Sequence, residues 1–138
     1  MDLLARREHS RRELQGKLLQ RGFEPARIEQ VVAELAGEGL QSDARFAAAY
    51  VHQRRERGYG PVRIRQELQQ RGVAEDLIAD CLDGSDTDWS GQARQARCKR
   101  FGGRPPANLH ERARQTRFLQ YRGFSSADIR RVLDEKPD

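Results

Sequence analysis

Arg54-Arg55-Glu56-Arg57-Gly58-Tyr59-Gly60-Pro61-Val62-Arg63-Ile64-Arg65-Gln66-Glu67-Leu68-Gln69-Gln70-Arg71-Gly72-Val73 holds the densest structural information in the chain. Gly58, Gly60 and Pro61 end one helix and begin another, since proline at a first helical position sacrifices no internal hydrogen bond. Ile64 and Leu68, four apart, share one face of the new helix, and Gly72 supplies the left-handed residue that stops it. Six arginines surround this apolar line, against Glu56 and Glu67.

The stretch is one copy of a repeat. Gly22, Gly72 and Gly123 each follow an arginine (Arg21, Arg71, Arg122) and precede an apolar residue (Phe23, Val73, Phe124). Leu18, Leu68 and Leu119 stand four residues before these glycines. Ile28, Ile78 and Ile129 stand six after, and Val32, Leu82 and Leu133 ten after. Self-similarity at a fixed period marks a repeat architecture. The apolar spacing predicts an all-α fold of nine helices, in three tandem three-helix repeats of helix-turn-helix outline, stacked into an elongated, curved array. The expected divisions are 1–40, with its first helix (Leu3 to Glu8) shortened, then 41–84 and 85–138.

Local signals fill in the helices. Ser10 and Glu13 form a capping box, and Leu14, Leu18 and Leu19 give the following helix its apolar side. Pro25 starts the next, with Ile28, Val31, Val32 and Leu35 on one face. Ser42 or Asp43 caps the helix of Phe46, Ala47, Tyr50 and Val51, and Leu77, Ile78, Cys81 and Leu82 mark the end of the second repeat. A turn is expected over Asp83-Gly84-Ser85-Asp86. The third repeat begins at Asp86 or Asp88, with Trp89, Ala93 and Ala96 on its helical beat. Gly102, Gly103, Pro105 and Pro106 interrupt it. Leu109 to Arg122 follows, and Ser125 with Asp128 caps the last helix.

Composition limits the function. The 138 residues carry a net charge of +5, with 34% charged and 36% hydrophobic residues, which suits small shared cores and an anionic partner. Between Trp89 and Ala127 nine cations face the single acid Glu111, a local charge of +8. Arginine predominates, and its planar fork binds phosphate or carboxylate with two bonds. The expected contact residues are Arg54, Arg55, Arg57, Tyr59, Arg63 and Arg65 in the middle repeat. In the last they are Arg94, Arg97, Lys99, Arg100, Arg112, Arg114 and Arg117. Any one of these arginines can equally be a solvated helix surface, as Glu67 and Arg71 at i,i+4 illustrate. Trp89, Phe101, Phe118 and Tyr121 lie among the cations; aromatics so placed stack on unpaired bases, although the first three also sit at core spacings. Tyr59 is expected to be exposed or to brace its turn.

Catalytic signals are missing. His9, His52 and His110 are far apart in sequence, no Cys/His spacing suits zinc, and no phosphate-cradling loop is present. The expectation is a non-enzyme without cofactor or metal. Cys81 falls in a core column beside Val31 and Val132, so a buried free thiol is expected there. No apolar run nears the ~20 residues that span a bilayer and no leader is evident, so a cytoplasmic monomer without membrane contact is expected.

Four blocks carry a family resemblance. They are Arg7-Glu8-His9-Ser10-x-x-Glu13-Leu14, Asp43-x-x-Phe46, Gly58-Tyr59-Gly60-Pro61-x-x-Ile64-x-x-Glu67-Leu68 with Gly72-Val73, and Arg117-Phe118-Leu119-x-Tyr121-Arg122-Gly123-Phe124. Together they resemble the bacterial RecX regulatory proteins over nearly the whole chain. The resemblance implies a modulator that binds the RecA filament on single-stranded DNA, with double-stranded DNA as a further partner. It would suppress recombinase, ATPase and co-protease activity, and with them DNA recombination, repair and the SOS response. The alternative is a general DNA-binding module or transcription regulator of helix-turn-helix type.

Overall fold

Ser10 begins the first helix as its sequence requires. Its hydroxyl accepts the Glu13 N–H at 3.1 Å, and the Glu13 carboxylate accepts the Ser10 N–H at 3.1 Å. Two otherwise unpaired donors are satisfied by this box. The computed structural model describes residues 7–83 and 87–135. Among them are eight helices and no strand: α1 (Arg11–Gln20), α2 (Pro25–Gly37), α3 (Asp43–Glu56), α4 (Pro61–Gln70), α5 (Glu75–Leu82), α6 (Trp89–Phe101), α7 (Leu109–Arg122) and α8 (Ser126–Leu133). The helix expected over Leu3 to Glu8 and the turn through Gly84-Ser85-Asp86 lie largely outside the described residues. Ser42 caps α3 through the Arg45 N–H, Asp88 caps α6, and Ser125 caps α8 through the Asp128 N–H.

The repeat columns are the core. Leu18, Leu68 and Leu119 are buried, as are Ile28, Ile78 and Ile129, and Val32, Leu82 and Leu133. Burying each such side chain stabilises by about 1.5–3 kcal/mol, so three copies of one pattern build three copies of one packing scheme. Two columns depart from it. Phe23 is 45% exposed, whereas its counterparts Val73 and Phe124 are buried. Cys81, expected in the core, is half-buried; burial, and then the Asp80 charge, raise its thiol pKa. Leu19 is 59% exposed rather than on the apolar side of α1.

The chain forms two compact units, Met1–Val51 with Glu67–Gly84, and His52–Gln66 with Ser85–Asp138. In the first, α1 packs on α2 around Leu14, Leu18, Ile28, Val32 and Leu35. His9 is 1% exposed beside this core. Its Nδ1 lies 3.1 Å from the Arg7 carbonyl and its Nε2 lies 3.2 Å from Lys17 Nζ. A neutral ring donating from Nδ1 and accepting at Nε2 satisfies both contacts. Burial, then the charges of Arg7 and Lys17, lower the His9 pKa. In the second unit α6, α7 and α8 enclose Ala93, Ala96, Leu119, Phe124, Ile129, Val132 and Leu133, with Trp89 and Phe118 packed against them.

Each unit contains one version of the same junction. In the first, Arg12 Nη1 donates to the Gln70 carbonyl at 3.3 Å, and a Cβ on Gly72 would come within 2.7 Å of the Arg12 guanidinium. In the second, Arg63 Nη1 donates to the Tyr121 carbonyl at 3.2 Å, and a Cβ on Gly123 would come within 2.2 Å of Arg63 Cβ. Gln70 and Tyr121 both stand two residues before the repeat glycine. The arginine therefore satisfies a helix-end carbonyl where only a glycine permits so close an approach.

Candidate nucleic-acid and partner interface

The Gly58-Tyr59-Gly60-Pro61 loop is held by backbone. Gly58, at φ +86°, ends α3, and the Tyr59 N–H donates back to the Arg54 carbonyl at 3.1 Å. The Gly60 N–H then donates to the Arg122 carbonyl at 2.8 Å, and the Val62 N–H to the Gly123 carbonyl at 2.9 Å. The unpaired donors at the start of α4 thus meet the unpaired acceptors at the end of α7, with favourable alignment of the two helix dipoles. Gly60 is obligatory here: a Cβ would stand 2.5 Å from the Gly123 carbonyl carbon and oxygen.

Tyr59 braces this loop, and arginines gather on it. The Arg54, Arg63 and Arg122 guanidinium carbons lie 3.9, 4.5 and 5.0 Å from its ring centroid. Each contact contributes about 0.5–1 kcal/mol where water remains near. Arg63 also reaches the Tyr121 ring at 5.1 Å, and Arg122 the Phe118 ring at 5.3 Å. Arg122 Nη1 donates to the Arg57 carbonyl at 3.2 Å. Three guanidinium groups thus stack against one ring.

The other expected contact residues divide by what holds them. Arg57, Lys99, Arg100 and Arg117 are exposed and make no ion pair among the described residues. Arg100 reaches over the Phe101 ring at 5.3 Å. Arg55 is half-buried, donating to Thr87 Oγ1 at 2.7 Å, and Arg65 is half-buried on α4. Arg114 pairs with Glu111 at 3.2 Å and lies over Phe101, while Arg112 pairs with Asp134 at 2.8 Å. Arg94 is clasped by the Glu135 carboxylate, which it meets at 2.8 Å through Nε and more closely through Nη2. That bond raises the arginine's pKa and lowers the glutamate's.

Arg97 corrects the sequence expectation. It is 5% exposed, with Nε donating to Gln115 Oε1 at 2.8 Å and Nη2 donating to the Arg104 carbonyl. Its guanidinium pins the α6–α7 connection from inside and is not on the free surface. The signal for this was Gln115, a polar residue in the column that holds Leu14 and Ile64, all three of them buried. A buried amide needs a hydrogen-bonding partner. Arg122, left out of the expected contact set, emerges as the arginine shared by Tyr59, Phe118 and the Arg57 carbonyl.

Of the aromatics, Trp89 and Phe118 pack on the core and Phe101 meets Phe118 edge-on at 5.3 Å. Tyr121 is 72% exposed. Among the described residues no helix is long and apolar enough to cross a membrane, and no group of three or more His, Cys, Asp or Glu side chains could hold a metal ion.

Fold and surface together define an all-helical protein of three tandem three-helix domains with an arginine-rich surface. Family models for the first, second and third three-helix domains of RecX match residues 1–35, 42–82 and 88–133. The chain belongs to the RecX family, whose members are regulatory proteins. It is 52% identical over 128 residues to regulatory protein RecX of Halorhodospira halophila, covering 93% of this chain and 80% of that one. It is 49% identical over 133 residues to regulatory protein RecX of Pseudomonas fluorescens, covering 96% and 86%. A crystal structure of regulatory protein RecX matches at a TM-score of 0.81 and 26% identity, covering 97% of this chain and 68% of that one. The fold is shared with RecX from Lactobacillus salivarius at a TM-score of 0.79 and 20% identity, covering 96% and 90%.

Proposed function

We propose that this chain binds the RecA filament on single-stranded DNA and restrains its recombinase, ATPase and co-protease activities. In this reading it modulates DNA repair and the SOS response in the cytoplasm as a monomer, without a catalytic step of its own. The three repeats would divide at 1–40, 41–84 and 85–138.

Beside family membership, the observation that carries this reading is the contrast among the cations of the second unit. Arg94, Arg97 and Arg112 are spent on Glu135, Gln115 and Asp134. Arg57, Lys99, Arg100 and Arg117 remain exposed without a carboxylate partner among the described residues. Unpaired surface cations attract phosphates and acidic protein surface, and displace condensed counterions from DNA. The proposed contact surface is therefore Arg57, Lys99, Arg100 and Arg117, together with the partnered residues Arg54, Tyr59, Arg63, Arg114 and Arg122 beside them. Arg55 and Arg65 flank it.

The test is RecA's single-strand-dependent ATP hydrolysis, measured with and without this protein. Saturable inhibition at micromolar concentration is expected. An unchanged rate, with the protein shown to be folded, would reject the proposal.

A further inference from the structure

A cavity of about 480 Å³ opens between the last turn of α3, the middle of α6 and the end of α7. Its walls carry Arg57, Lys99, Arg100 and Arg122, together with Glu56 and Phe118. The volume lies in the range that holds small organic ligands. Arg122 is fixed in place by the Arg57 carbonyl and by the rings of Tyr59 and Phe118, so one guanidinium of the wall is preorganised. Arg57 and Lys99 are not neutralised by any carboxylate among the described residues. Cations converging on one concavity focus positive potential there and favour a compact, multiply charged anion.

The same wall also holds acceptors. Glu56 and the amides of Gln92 and Gln95 line the cavity. A bare polyphosphate offers oxygen acceptors alone and makes no use of the exposed Glu56 carboxylate. A ligand with hydroxyl or amino groups at one end and phosphates at the other satisfies both chemistries. We infer that this cavity is a binding site for a soluble nucleoside polyphosphate, its phosphates on Arg57, Lys99, Arg100 and Arg122 and its nucleoside donors toward Glu56 and Gln92. A continuous nucleic-acid strand suits it less well, since the Glu56 carboxylate would repel a phosphodiester extended past it.

The site is tested by isothermal titration of magnesium-free ATP into the full chain at fixed ionic strength, with RecA and DNA absent. One-to-one saturable binding is expected. Arg57→Gln and Lys99→Glu should each weaken it at least about tenfold, as expected for loss of a charge-assisted hydrogen bond. Arg27→Gln, an exposed cation of the other unit, should leave it unchanged. Pyrophosphate should bind at least about fivefold more weakly than ATP for want of partners for Glu56 and Gln92. Helical circular dichroism and the melting temperature should be unaltered in all three variants, because each changed residue is exposed.

Absence of saturable heat overturns the inference. So does equal weakening by Arg27→Gln, or equal binding of pyrophosphate. A short single-stranded oligodeoxynucleotide that binds more tightly than ATP and is equally sensitive to Lys99→Glu would also overturn it, reassigning the cavity to a nucleic-acid path. Because RecA is absent, the ATP titrations leave filament inhibition to its own assay, and failure of that assay leaves this site untouched; only a preference for the oligodeoxynucleotide would return these cations to the proposed filament surface.

Discussion

Gly123→Ala should destabilise the second unit far more than Gly22→Ala destabilises the first, although the two glycines occupy the same place in the repeat. Both have positive φ, +96° and +88°, so alanine costs each about 1–2 kcal/mol of backbone strain. At Gly22 nothing stands within 4 Å of the new Cβ, and the cost ends there. At Gly123 the Cβ meets Arg63 Cβ at 2.2 Å, Arg63 N at 2.7 Å and Arg63 Cα at 3.0 Å. Backbone cannot rotate away as a side-chain tip can, so the end of α7 must retreat from the start of α4. That retreat breaks the Gly60-to-Arg122 and Val62-to-Gly123 bonds, each contributing about 0.5–1.5 kcal/mol. The total for Gly123→Ala is about 2–5 kcal/mol. Gly72→Ala should fall between the two, because its nearest neighbour is the flexible Arg12 side chain. Urea unfolding followed by circular dichroism gives the ranking, and amide exchange at Gly60 and Val62 reports the junction itself. Equal destabilisation by Gly22→Ala and Gly123→Ala, with both amides still protected, would refute the docking argument.

Three further outcomes follow from the buried polar groups and the arginine-rich surface. Arg97→Glu should cost about 3–5 kcal/mol, because it places a buried carboxylate opposite the Gln115 and Arg104 oxygens; a melting temperature within a degree or two of the parent would contradict this. The His9 pKa is lowered in the fold, so the unfolded chain binds the extra proton first. Stability of the first unit should therefore be fully present above the ordinary histidine value of about 6.5 and decline as pH falls through the lowered one. Urea midpoints between pH 7.5 and 5.5 should show this decline, and His9→Gln should flatten it. Glu13 acts in a lower window. Burial pushes its carboxyl up, but the Arg7 hydrogen bond, the Ser10 N–H and the Arg7 charge bring it below the usual value. Its contribution is lost only as pH falls below about 4.5, and Glu13→Gln should remove that acid limb from the stability profile.

The sequence disclosed the helices and the core because both depend on spacing. A leucine four before each repeat glycine, and an isoleucine six after, can face only inward once the helices form, and Leu68, Leu119, Ile78 and Ile129 do so. Capping is local chemistry, so Ser10, Asp88 and Ser125 were equally legible. What periodicity does not encode is the partner that a long, flexible cation selects. Arg94, Arg97, Arg100, Arg112 and Arg117 look alike along the chain. Yet Glu135 and Asp134 claim two of them from the far end of the unit, and Gln115 draws a third inside. Phe23 shows the same limit for apolar groups. It matches Val73 and Phe124 in sequence, but its surroundings leave it 45% exposed.

If the chain restrains RecA as proposed, cations of the second unit, rather than the helical scaffold as such, carry that effect. The most direct measurement is the concentration of this protein that half-inhibits RecA's single-strand-dependent ATP hydrolysis, compared between the parent chain and the Arg114→Glu/Arg117→Glu double variant. Both positions are exposed on α7, and loss of the exposed Arg114–Glu111 pair costs about 0.3–0.5 kcal/mol, so the helical signal should be retained and the melting temperature fall only slightly while two charges are reversed. A half-inhibiting concentration at least about tenfold higher is expected for the variant, with the gap narrowing as salt is raised. Half-inhibition at the same concentration for both proteins, at every salt concentration, would contradict it.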